Sequence, residues 1–280
     1  FNQFDEFGNY LWHYNITGPA MVEVLNEVMG PNDRFAGVTL TTGSAGTIAS
    51  GDYLKQVYPH SKIAAGEATE CPTMVYNGFG EHRIEGIGDK HIPWIHNVRN
   101  TDMAMAIDDE STISLIRLFN EPAGLEYLAS QGVPAEFVEK LPLLGISGVA
   151  NMLMAIKFAK WYELTGEDVL MTLGTDSMEM YESRLAELNE ERGEFTLLDA
   201  AGAYHQHLMG QSLANVQELD YYERKRIHNL KYYTWVEQQG KTYEEIQAQW
   251  YDPDYWTSIQ RMADPIDEMI ESFNARVEQA

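Results

Sequence analysis

From residue 41 to residue 47 the chain reads Thr41-Thr42-Gly43-Ser44-Ala45-Gly46-Thr47, a run of small residues between the apolar stretch 35–40 and a helical pattern over 48–57. A strand that turns sharply into a helix through such residues leaves several backbone N–H groups aimed at one point. The positive end of the helix favours an anion there. The chemistry on offer is a phosphate seat; the competing reading is a turn that only reverses the chain. Its spacing fits neither G-x-G-x-x-G nor G-x-x-x-x-G-K-[ST], which weighs against dinucleotide and P-loop sites. A second small-residue turn, Gly145-Ile146-Ser147-Gly148, opens another helical stretch, where Ser147 is placed to cap the helix.

Other side chains with chemical potential are weaker candidates. His205 and His207 stand two apart and so do not share a helix face, and without an evident third ligand no metal is expected. His82, His91 and His96 crowd one irregular loop, as bases near neutral pH or as ordinary polar loop residues. The segment 224–231 with Tyr221, Tyr222, Tyr232, Tyr233 and Trp235 is a basic, aromatic stripe. A nucleic-acid surface is one reading; packing on acidic helices or a second subunit fits better. Cys71 is the only cysteine, which excludes an internal disulfide and a cysteine-based zinc site, and reads as a buried small hydrophobe.

These groups need a frame, and the 280 residues, 44% of them hydrophobic, are enough to bury a substantial core. A formal charge of −24 repels a nucleic-acid backbone and an anionic membrane over most of the surface. No apolar span of membrane-crossing length appears, nor a signal-peptide pattern, so a soluble cytoplasmic protein is expected. The chain starts at Phe1, so an earlier stretch is expected upstream.

Periodicity supplies the elements. Residues 1–14 read as an extended lead-in, 19–29 as a helix opened by Pro19, 35–40 as a strand, 48–57 as a helix and 63–66 as the returning strand of a parallel βαβ unit. Residues 67–100 are too irregular for either period, and loops of that length tend to be functional. A helix capped by 108–111 runs to Glu121, one over 149–164 follows, and 169–173 reads as a buried strand. Beyond residue 178 the pattern is helical: 179–192, 197–209, 215–239, a capping box at Thr242 and Glu245, and two last helices opened by Asp252-Pro253 and Asp264-Pro265.

Four stretches, in order, resemble a known family. His13-Tyr14-Asn15-Ile16-Thr17-Gly18-Pro19 is similar to its helix-opening HYxTTGP segment, and 43–48 to its GTGGTI phosphate loop. Residues 82–88 are similar to HKIQGIG, and Gly145-Ile146-Ser147-Gly148 with Thr175-Asp176-Ser177 to GISSG and PDSGERY. The chain thus resembles, over residues 1–185, the later part of a fold-type II pyridoxal-phosphate enzyme of the cysteine synthase and cystathionine β-synthase family.

The resemblance implies an α/β fold, part of a doubly wound, mostly parallel sheet of the tryptophan synthase β kind. Residues 1–185 would form the cofactor-binding domain and 186–280 an all-helical C-terminal extension. It implies that Gly43, Ser44, Ala45, Gly46 and Thr47 hold the phosphate of pyridoxal 5'-phosphate and that Ser147 meets the pyridine nitrogen. A neutral serine there suits β-elimination and β-replacement over transamination. Three departures stand out: GSAGT replaces GTGGT, placing side-chain atoms where glycine gives the backbone room; an insertion falls near 130–142 and the match to cysteine synthase ends near 185; and, the largest, the lysine-bearing part of the family is not among these 280 residues. In the family the Schiff-base lysine and the substrate-carboxylate loop lie upstream of this stretch. Lys55, Lys62, Lys157 and Lys160 are not promoted to that role, and no catalytic residue is assigned. The implied activity is a lyase or transferase reaction on a small serine- or cysteine-like amino acid. The lysine would come from a preceding segment or a companion chain, in an expected homo-oligomer. The alternative is a non-catalytic partner that keeps the fold.

Overall fold

In the computed structural model, which describes residues 1–278, the apolar run after Asp33 forms strand β1 (Arg34–Thr41). The chain passes through the small-residue loop into the Ile48–Val57 helix and returns as β2 (Lys62–Ala68), parallel to β1. Strands β3 (Met103–Ile107) and β4 (Asp168–Thr172) are also parallel, while β5 (Val216–Glu218) runs antiparallel against β3. The order is β4-β1-β2-β3-β5. The fold is α/β with a mostly parallel sheet covered on both faces.

Alternation along β2 divides the core. Ala64 faces Met103, Met105, Leu153 and Met154, on the side of the Asp109–Asn120 and Ile146–Trp161 helices. Ile63 and Ala65 belong to the opposite layer, with Met21 and Leu25 of the Gly18–Val28 helix and Leu54 of the Ile48–Val57 helix. Each fully buried Leu or Ile contributes about 2 kcal/mol of hydrophobic stabilisation. A Cβ on Gly66 would collide with the Met154 side chain, so glycine there sets how closely that helix approaches the sheet.

Several expectations differ from the structure. The lead-in is helical over Phe7–Trp12 and continues as a π-helical turn, His13–Thr17. Its Tyr10 and Leu11 pack with Trp94, Trp235, Ile246 and Trp256, which pins the far end of the chain to its beginning. The segment 169–173 is a strand, but a half-buried one at the sheet edge rather than a fully buried one. Residues 215–239 are not one helix: β5 comes first, and the helix begins at Tyr221 with Asp220 as its cap. Apart from β5 the chain after residue 178 is helical, with both expected terminal helices and the Thr242/Glu245 capping box in place.

Candidate functional site

The loop after β1 is built to leave its amides free. Thr42 N–H is used, donating to the Gly66 carbonyl at 2.8 Å, and the helix takes over at Ile48 N–H, which donates to Ala45. Between them, the N–H groups of Gly43, Ser44, Ala45, Gly46 and Thr47 find no acceptor among the described residues, and neither does the Thr47 hydroxyl. Buried or half-buried backbone donors are normally paired, so five consecutive free ones mark a place where something else accepts. The turn requires Ala45 at φ 64°, in the left-handed region. Asn9 braces the loop from the lead-in helix: its Nδ2 donates to Ser44 Oγ at 3.0 Å and to the Gln3 carbonyl at 2.9 Å. A Cβ on Gly46 would strike the Asn9 side chain, so this glycine is needed for the close approach. From the other side, Gly88 N–H donates to the Thr42 carbonyl at 2.8 Å.

The second small-residue turn comes to the same place. Ser147 is buried in the first turn of the Ile146–Trp161 helix, and its Oγ lies 2.9 Å from Thr175 Oγ1. Gly43 to Thr47 and Ser147 line one cavity of about 490 Å³, together with Gly86, His13, Asn151 and Thr175. All six residues singled out from the sequence are therefore brought together. Sequence reasoning missed Asn151. Its Oδ1 accepts from Thr41 N–H at 2.7 Å and its Nδ2 donates to the Leu173 carbonyl at 3.0 Å, so it fixes the floor between the two turns. A lone asparagine within a helical pattern gives no local signal of such a role.

Among the described residues, the lining carries no lysine, arginine or carboxylate. In a chain of formal charge −24 this leaves a neutral cavity whose polarity comes from backbone dipoles, hydroxyls, the amides of Gln3 and Asn151 and the His13 imidazole. His13 Nδ1 lies 2.9 Å from Thr17 Oγ1, and burial holds its imidazole below the usual range, hence neutral. Behind the loop, Glu67 at the end of β2 accepts from the Met74 and Val75 amides, both at 2.8 Å. Burial outweighs those bonds and pushes its carboxyl up to about 7.

The remaining candidates fall outside the cavity. Lys55 pairs with Asp102 at 2.6 Å, Lys157 donates to the Ser212 and Ala214 carbonyls, and Lys160 donates to Gln211. His96 is buried against Thr101; His205 meets the Tyr127 hydroxyl and His207 meets Ser111. In the basic stripe, Arg224 pairs with Asp102, Arg226 with Glu223, and Lys231 is wholly buried. Cys71 is buried, as its type and isolation led one to expect. No helix of the described residues is long and apolar enough to cross a membrane.

No protein-family model matches the chain. A probable cysteine synthase of Bacillus subtilis is 26% identical over 180 residues, covering 64% of this chain and 51% of that protein. Cysteine synthase B of Campylobacter jejuni is 27% identical over 182 residues, 64% of this chain and 52% of that protein. The chain thus spans about half the length of the curated relatives it matches. Among solved structures, a hydrogen sulfide-producing enzyme from Fusobacterium nucleatum aligns with a TM-score of 0.52 and 22% identity, over 78% of this chain and 57% of that one. Cysteine synthase from Entamoeba histolytica aligns with a TM-score of 0.53 and 20% identity, over 73% of this chain and 53% of that one. These structural likenesses show a shared fold. In sequence the chain is similar to cysteine synthases, and in fold to solved enzymes that include one of them.

Proposed function

We propose that this chain supplies the phosphate- and pyridine-facing part of a pyridoxal-phosphate-dependent enzyme that carries out β-elimination or β-replacement on a small, serine- or cysteine-like amino acid. The observation that carries the reading is the set of five unused amides at Gly43 to Thr47, opposite Ser147 in one cavity. Those amides and the Thr47 hydroxyl would hold a phosphate, with the Ile48–Val57 helix dipole aligned behind them. Thr175 would donate to Ser147, leaving the Ser147 proton for a ring nitrogen. A hydroxyl in that position donates without giving up its proton, so the ring stays uncharged. When bound, the cofactor would withdraw electrons from the substrate's α-carbon, so that a proton and then the β-substituent can leave. The 490 Å³ cavity is of the size that takes such a ligand.

No lysine among the described residues lines the cavity, and on this reading the lysine is supplied by another part of the protein or a companion chain. That same observation favours the second reading, a non-catalytic partner that retains the fold. Calorimetric titration with pyridoxal phosphate and with pyridoxal, which lacks the phosphate, separates them. The proposal expects the phosphorylated form to bind at least about tenfold more tightly, some 1.4 kcal/mol. Equal affinity for the two, or no binding of either, leaves the non-catalytic reading.

A further inference from the structure

Two uncovered surfaces lie within the last sixty residues, and each has what the other lacks. One is the Ala263–Glu278 helix. Near its start Ile266 packs against the cluster of Tyr10, Trp94 and Trp256. Beyond that anchor, Met269, Ile270, Phe273 and Val277 fall on one helical face, and each is more than half exposed. The helix carries Asp264, Asp267, Glu268, Glu271 and Glu278 against a single basic residue, Arg276.

The other surface is a groove of about 720 Å³ between the Tyr221–Asn229 and Tyr243–Tyr251 helices. Tyr222, Tyr233, Tyr243 and Tyr251 line it, each more than half exposed, and its charged side chains are Lys225 and Arg226. Lys225 Nζ lies 4.6 Å from the ring centroids of both Trp250 and Tyr251 and has no hydrogen-bond acceptor among the described residues. Arg226 is already paired with Glu223, so Lys225 is the uncompensated cation, and an open aromatic groove bearing it, in so acidic a chain, selects an acidic partner. Tyrosine with Arg is also the composition of protein contact surfaces, and a groove between helices receives an amphipathic helix through anchors at such spacings.

We propose that the Ala263–Glu278 helix of one copy of this chain docks in the tyrosine-lined groove of a second copy, and reciprocally, forming a dimer through the C-terminal region. Charge decides against the other exposed apolar row, Trp12, Ile16, Val24 and Val28: it lies beside Glu23 and Glu27, which repel an acidic helix. Reciprocal docking makes the contact isologous, so it closes at two copies.

Sedimentation velocity on the full chain, from low to high micromolar concentration, tests this. A dimer is expected, weakened at least about tenfold by Phe273→Asp and again by Lys225→Glu. Phe273 is exposed whereas Lys225 Nζ is buried against the rings of Trp250 and Tyr251, so each variant is compared only with circular dichroism matching the parent, and the Phe273→Asp and Glu268→Lys, Glu271→Lys chains test the contact without touching that buried ammonium. The decisive arm mixes a Lys225→Glu chain with a Glu268→Lys, Glu271→Lys chain. The mixed pair is expected to associate more tightly than either variant with itself, since both of its contacts then join opposite charges. A chain that stays monomeric throughout, a dimer indifferent to both single variants, or a mixture no tighter than its components would overturn the proposal.

Discussion

Asn151 and Thr41 are joined by a hydrogen bond of 2.7 Å from the Thr41 amide to Asn151 Oδ1, across the space between the Ile146–Trp161 helix and the end of β1. The same side chain holds the Leu173 carbonyl just past β4, so one amide group ties together the two strands that feed the cavity. Asn151→Ala is expected to cost about 2 kcal/mol in urea unfolding, because a half-buried donor and a half-buried acceptor both lose their partner. Asn151→Asp keeps an acceptor for Thr41 but turns a carboxylate toward the Leu173 carbonyl, and is expected to cost at least as much. A loss below about 0.5 kcal/mol for both, within ordinary surface variation, would remove the tie from the account.

Ala45 sits at φ 64° with its methyl buried. Relief of the left-handed strain is worth about 1–2 kcal/mol, against about 0.8 kcal/mol for the buried methyl. The strain wins narrowly, so Ala45→Gly is expected to stabilise slightly. Ala45→Val, β-branched at positive φ, is expected to destabilise by more than about 2 kcal/mol. Thermal melts of the two variants read both signs, and a strongly destabilised glycine variant would contradict the argument.

Gly46→Ala forces Asn9 out of its place over the loop, breaking its bonds to Ser44 and Gln3. Pyridoxal phosphate binding is expected to weaken by at least about tenfold, with a smaller effect on unphosphorylated pyridoxal. Titration of both ligands checks it. Undiminished affinity for the phosphate form would mean that the amides of this loop are not the anion seat.

Glu67 and His96 give opposite pH dependences. The Glu67 carboxyl is raised by burial to about 7, so the folded state holds a proton that the unfolded state releases near 4.5. Its stabilising contribution is therefore present at low pH and lost as pH rises through that window. Relative to Glu67→Gln, the parent is expected to lose up to about 3 kcal/mol between the two pH values. Burial, and then the positive Lys231, lower the His96 imidazole to about 3. The unfolded state is the one that binds a proton there, so stability falls as pH drops from 6.5 toward 3. Denaturation of Glu67→Gln and His96→Phe against the parent over pH resolves the two slopes; parallel curves would deny both assignments.

Lys231 is fully buried, donating to the Trp94 carbonyl at 2.9 Å, the His96 carbonyl at 2.8 Å and Gln249 Oε1 at 2.7 Å. It holds the C-terminal helices against the irregular loop. Lys231→Met fills the space but leaves Gln249 Oε1 without a donor and takes one of two donors from each of the Trp94 and His96 carbonyls, and a cost of about 2 kcal/mol is expected. The far end of the chain should become sensitive to limited proteolysis before the sheet unfolds. A variant as protease-resistant as the parent would show that this lysine is not the anchor.

The sheet's first βαβ unit was legible because its signals are local: an apolar run, a small-residue turn, a helix, then a second apolar run. Capping boxes are equally local, which is why the Tyr243–Tyr251 helix was found at its start. Strand β3 escaped because Met103-Ala104-Met105-Ala106 are good helix formers, and only burial between β2 and β5 makes them extended. Three-residue β5 exists through its pairing with β3, a contact between residues more than a hundred apart. The lead-in helix has no side-chain cap and is held by aromatic packing against Trp256. In the site, the loop residues were readable from their types and spacing, whereas Asn151 and Asn9 act across distances that no local pattern encodes.

The strand order has a consequence for how the protein comes into being on the ribosome. Because β4 slots in beside β1, the residues that brace the 41–47 loop from below emerge only after Leu173 has been synthesised, nearly half the chain later. Until then the nascent polypeptide has its glycine-rich bend but no floor beneath it. Cofactor capture during translation would have to wait for that late strand to arrive.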